Sequence, residues 1–76
     1  MRELEIFAER VRVLRKQRGM SQKELGEAIG LSHKSISTIE SGSRTTTLEK
    51  LVMLARFFQV STDYLLGLCE KPAPRA

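Results

Sequence analysis

An all-α fold is what this sequence predicts, and three observations predict it. Apolar residues recur at intervals of three and four, the period of a helix face. Ser21, Ser32, Thr46 and Ser61 each stand where a hydroxyl can cap the start of such a run, and Gly19, Gly30 and Gly67 stand where runs stop. No stretch makes a convincing strand beside them. Seventy-six residues, 41% hydrophobic but only 5% aromatic and without Trp, suit one compact domain with a small core of Leu, Ile, Val and Met.

Five helices follow in order. Residues 3–18 place Leu4, Phe7, Val11 and Leu14 on one stripe, with Gly19 as the stop. Met20 is set to staple the entry to a second helix, which Ser21 opens with the capping box Ser-Gln-Lys-Glu ending at Glu24. Leu25, Ala28 and Ile29 form its apolar stripe, and Gly30 ends it without steric cost. Ser32 caps a third helix whose Ile36 and Ile39 face inward. Gly26 lies where a side chain would hold those two helices apart. Residues 41–45 have no period and read as a loop. Thr46 and Glu49 suggest a second capping box, with Thr46 or Thr47 open as the cap, for a helix running to about Phe58, with Leu48, Leu51, Val52, Ala55 and Phe58 on its stripe. Ser61 opens a short last helix ending near Gly67. The domain is expected over residues 1–69, with 70–76 a flexible C-terminal tail.

Bulk chemistry narrows the function classes. Thirteen basic residues against nine acidic ones give a net charge of +4, compatible with nucleic acid but not diagnostic of it. Arg10, Arg12, Arg15, Lys16 and Arg18 also complement the dipole at the end of the first helix, so a structural reading of that cluster stays open. Cys69 is the sole cysteine, one histidine is present, and no Cys/His cluster has metal-ligand spacing; neither a metal nor another cofactor is expected. No glycine loop for phosphate and no supported acid pair points to an enzyme. The apolar runs are too short for a bilayer, and no signal-peptide block opens the chain, so no membrane partner and a cytoplasmic location are expected.

Two short helices joined by a turn of about four residues, spanning 21–41, form the footprint of a DNA-reading helix-turn-helix. Ser21–Gly42 resembles that motif in the lambda-repressor-like (Cro/Xre-type) DNA-binding domains. The likeness continues through Arg10-Val-Arg-Val-Leu-Arg15 and Gly19-Met-Ser-Gln upstream. Downstream it takes in Ile39-Glu-Ser-Gly-Ser-Arg44 and Leu51 to Gly67, so that about residues 6–67 are covered. Two positions depart from the family pattern: Thr46 stands where Pro is frequent, and Gly26 where Ala is usual. The resemblance implies a compact five-helix domain that binds double-stranded DNA.

A recognition helix enters the major groove by its N-terminal part. The resemblance implies base contacts at His33, Lys34, Ser37 and Thr38, whose donors and acceptors suit base edges. Gln22, Ser43 and Arg44 are implied phosphate contacts, joined by Ser32, Ser35 and, from the first helix, Arg10. Arg15 and Glu40 are implied to form a structural ion pair between the first helix and the recognition helix. Phe57, Val60, Tyr64, Leu65 and Leu68 supply more apolar surface than a short terminal helix needs, which suggests a homodimer interface. The function expected is a transcriptional repressor that binds an inverted-repeat operator. The alternative is an adaptor for a protein partner, such as the antitoxin of a toxin–antitoxin pair; a regulatory protein partner is compatible with either.

Overall fold

Four hydroxyls decide where the helices after the first begin. Ser21, Ser32, Thr47 and Ser61 each accept a hydrogen bond from the backbone N–H three residues on, at Glu24, Ser35, Lys50 and Tyr64. The computed structural model describes residues 1–72. In it, α1 spans Arg2–Gln17, α2 Gln22–Ile29, α3 His33–Ser41, α4 Leu48–Phe58 and α5 Thr62–Leu65. No strand occurs among the described residues.

The cap of α4 is Thr47, one residue later than the expected Thr46–Glu49 box. With Thr47 as cap the third helical residue is Lys50, which cannot return a hydrogen bond as a carboxylate would. Thr46 is left with its hydroxyl oxygen buried and without a hydrogen-bond partner among the described residues. Leu48 consequently starts α4 rather than lining its buried face, and it is 75% exposed. Ala28 is exposed as well, because α2 turns Leu25 and Gly26 inward.

Phe7 and Val11 of α1, Leu25 of α2, Ile36 of α3, Leu54 of α4 and Leu65 beyond them are the largest fully buried side chains and meet in one core. Each contributes about 1.5–3 kcal/mol of transfer free energy. α2 and α3 make the most extensive contact of any helix pair. Gly26 lies tight against the turn between them, where an added Cβ would lie 2.5 Å from the Leu31 carbonyl oxygen. The turn folds back there because Gly30, at φ 79°, reverses the chain and the Leu31 N–H donates to the Gly26 carbonyl at 2.8 Å.

The C-terminal segment is tied down further than a free tail from residue 70 would be. Glu70 pairs with Arg10 at 3.1 Å, and the Ser61 N–H donates to the Pro72 carbonyl at 3.2 Å. The rest of the expected tail, residues 73–76, lies outside the described residues.

Gly26→Ala sets a gain of about 1 kcal/mol in helix propensity against a backbone clash. The clash wins, and urea unfolding is expected to show a net loss of about 1–2 kcal/mol. The α2 cap also carries a pH signature. The Glu24 carboxylate accepts from the backbone N–H and then the hydroxyl of Ser21, which lowers its pKa. A carboxyl depressed in the folded state stabilises above its unfolded pKa and loses that contribution as pH falls through the folded value. The stability difference between the parent and Glu24→Ala is therefore expected to be full at neutral pH and to shrink in acid, as followed by urea titrations across pH.

Candidate nucleic-acid interface

Two buried charges set the position of α3. Arg15 of α1 and Glu40 of α3 are 9% and 5% exposed. The guanidinium donates through Nε to Glu40 Oε2 at 2.6 Å and through Nη2 to Oε1 at 2.9 Å. Its Nη1 donates to the Met20 carbonyl at 2.8 Å, which fixes the entry to α2 as well. The hydrogen bonds to Glu40 raise the pKa of Arg15 above its ordinary value; burial works against this and charge attraction adds to it.

From this pair a polar chain runs outward. Gln22 Nε2 donates to Glu40 Oε1 at 3.2 Å, and Gln22 Oε1 lies 3.1 Å from Nε2 of His33. The starts of α2 and α3 are thereby brought side by side. Gln22 is the first residue of its helix, so its backbone N–H and its second amide hydrogen both lie at a helix N-terminus, where an anionic oxygen is favoured. His33, Lys34 and Ser37 are exposed on α3, with Thr38 half-buried beside them.

A second concavity adjoins that face. The cap Ser32 lines it with Lys34, Ser35 and Thr38 of α3, Arg44–Thr47 of the following loop and Lys50 of α4, around about 250 Å³. Three cations and no carboxylate border it. The first turn of α3 has no acidic residue either, so its dipole is left uncompensated. Ser32 and Ser35 bond to each other at 3.0 Å, and Ser43 bonds to Ser41 at 2.8 Å. Lys34, Arg44 and Lys50 form no ion pair among the described residues. Lys50 was not singled out from sequence, although one signal exists: a cation in the first turn of a helix opposes the dipole and needs another reason to be there.

Arg10 has a different task from the phosphate contact expected of it. Its Nη1 donates to the carbonyls of Tyr64 and Cys69, its Nη2 pairs with Glu70, and its guanidinium lies 4.2 Å from the Tyr64 ring centroid. Both terminal nitrogens of its guanidinium thus staple α1 to the C-terminal segment. The expected interface residues divide too. Leu65 is fully enclosed and Val60 is buried, so both close the core of a single chain and offer nothing to a second one. Phe57 and Tyr64 are half-buried, each with an arginine over its ring, and Leu68 is 65% exposed.

The family model described as helix-turn-helix (HTH_3) matches residues 11–65. The chain belongs to that family. Helix-turn-helix relatives include the "Uncharacterized HTH-type transcriptional regulator YobD" of Bacillus subtilis (strain 168), 40% identical over 92% of this chain and 62% of the relative. Control protein C.SmaI of Serratia marcescens is 39% identical over 82% of this chain and 74% of its own length. The HTH-type transcriptional regulator ImmR of Bacillus subtilis (strain 168) is 34% identical over 80% of this chain and 48% of the relative. The chain thus spans about three-fifths of YobD and about half of ImmR. No solved structure gives a significant match. The lambda-repressor-like resemblance is accordingly a family relationship, and the chain is a helix-turn-helix domain. No described helix is long and apolar enough to cross a membrane.

Within this helix-turn-helix, removal of one buried charge strands the other. Glu40→Ala is expected to cost about 3–5 kcal/mol in urea unfolding. Replacing both partners together, as Arg15→Met with Glu40→Leu, is expected to cost far less, since no unpaired charge is left inside. A double mutant as unstable as Glu40→Ala would show that the charge pair is not the source of the effect.

Proposed function

We propose that this domain binds a specific duplex DNA site with α3 in the major groove and represses transcription as a homodimer on an inverted repeat. The observation that carries the reading is the acid-free concavity at the start of α3, where Lys34, Arg44 and Lys50 converge without partners among the described residues. Phosphates supply affinity to such a surface, and the side chains reaching base edges supply choice. Lys34, Ser37, Thr38 and His33 are assigned the bases; Gln22, Ser32, Ser35, Ser43, Arg44 and Lys50 are assigned the backbone.

Size favours two copies. The described fold extends 28 Å along its longest axis, whereas successive major-groove faces lie about 34 Å apart. One chain therefore reads one half-site, and a palindromic operator needs a second chain. Leu68, with the exposed edges of Phe57 and Tyr64, is the apolar surface assigned to that contact. Repression is the simpler output, because occupancy of an operator blocks polymerase without any further contact.

Selection from a random duplex library is expected to enrich an inverted repeat whose half-sites lie about one helical turn apart. Lys34→Ala is expected to cost about 1–3 kcal/mol at one base pair and relax the choice there. Lys50→Ala is expected to weaken all sequences alike and to flatten the salt dependence by about one unit of log–log slope. A library without any enriched site, together with capture of a folded protein partner, would favour the adaptor reading instead.

A further inference from the structure

We propose that the concavity between α3 and α4 also takes a short polyphosphate chain, free or on a nucleotide, whose binding releases the domain from DNA. The inference rests on the DNA reading of that surface and goes beyond it by naming what regulates it. Three cations from three elements converge there: Lys34 of α3, Arg44 of the loop and Lys50 of α4. No carboxylate lines the space, and Glu49, the acidic residue in the first turn of α4, stays outside the lining. The caps of both helices, Ser32 and Thr47, belong to the same wall. The positive ends of two helix dipoles therefore add to the three cations.

The uncharged groups lean the same way. Ser32 Oγ accepts the Ser35 N–H and donates to Ser35 Oγ, each at 3.0 Å, which leaves the Ser35 hydroxyl proton without an acceptor among the described residues. Thr46 lines the concavity too, and its hydroxyl oxygen is buried without a hydrogen-bond partner among the described residues. An unmet donor inside a protein is costly, and a ligand made of acceptors relieves it. A duplex answers only part of this demand, because each of its phosphates brings one charge and the next is carried off along the curve of the strand. A polyphosphate chain brings several charges to one point and consists of acceptor oxygens throughout. The volume of about 250 Å³ lies below the roughly 300–1,000 Å³ of sites that enclose drug-sized ligands, and it suits the chain rather than a whole nucleotide. Chain and duplex draw on the same three cations, so each excludes the other.

The test uses the whole chain in buffer without divalent cations, at an ionic strength held constant with sodium chloride. Calorimetry is expected to show one tripolyphosphate per chain, bound more tightly than pyrophosphate and that more tightly than orthophosphate. Amide shifts should be confined to residues 32–38 and 44–50. Lys50→Ala is expected to weaken tripolyphosphate about tenfold, while Lys71→Ala, outside the concavity, leaves it unchanged. Lys50 opposes the dipole of α4, so the fold is expected to survive its removal, as a thermal melt verifies. At ten times its own dissociation constant, tripolyphosphate should weaken binding of the selected duplex about tenfold, where sulfate at the same ionic strength does not. Adenosine triphosphate of equal affinity places recognition in the chain alone, and a tighter complex adds the nucleoside to it. Binding no stronger than that of sulfate, or weakened alike by Lys50→Ala and Lys71→Ala, would mean an adventitious ion only and overturn the proposal. A duplex retained by the polyphosphate-bound protein would overturn it as well. An enriched duplex without a polyphosphate site overturns this inference alone, whereas a library without an enriched duplex overturns the DNA reading and the release with it.

Discussion

The Arg15–Glu40 pair is the constraint on which the rest of the arrangement depends. A helix of nine residues is too short to hold its own orientation, and only Ile36 and Ile39 anchor α3 apolarly to the core. Packing of two branched side chains leaves room for rotation about the helix axis. The bidentate bond from α1 removes it, because a planar guanidinium donates to both oxygens of a carboxylate in one plane only. Arg15 also holds the Met20 carbonyl, so the start of α2 and the end of α3 answer to the same side chain. Burying two charges is a poor route to stability. Its return here is geometric: the exposed face of α3 and the first residue of α2 are held in a fixed relation.

Close approach at Gly26 completes that relation. Without a Cβ, α2 lets the turn before α3 touch its backbone, and the positive φ of Gly30 brings the chain round in a few residues. The cap at Ser32 then aims the unsatisfied N–H groups of α3 outward. Glycine, cap and ion pair act on different degrees of freedom: separation, direction and rotation.

Much of this was legible in the sequence because its signals are local. Ser21, Ser32 and Ser61 cap where their positions before apolar runs indicated, and Leu25, Ile36, Ile39, Leu51, Ala55 and Phe58 are buried as their spacing required. Three consecutive threonines, 45–47, left the cap of α4 open between Thr46 and Thr47, since the hydroxyl is the same at each. Arg10 was illegible for a different reason. Two of its partners are backbone carbonyls, 54 and 59 residues away, and a carbonyl leaves no mark in a sequence. Pairing Arg15 with Glu40 likewise came from the family resemblance, because charges 25 residues apart carry no sign of their contact. Val60 and Leu65 looked like surplus apolar surface only while the small core they close was out of view.

Lys50 shows where stability and function part company. An ammonium in the first turn of α4 opposes the helix dipole at a cost of about 0.3–1 kcal/mol, and the Thr47 cap works against that loss. An acidic residue there would make a firmer helix and place a negative charge beside Lys34 and Arg44. Heat resistance and anion affinity therefore pull this position in opposite directions. A lineage driven toward greater thermal tolerance would find one of its easiest gains at residue 50, and would take it at the expense of the cationic surface proposed to meet phosphate.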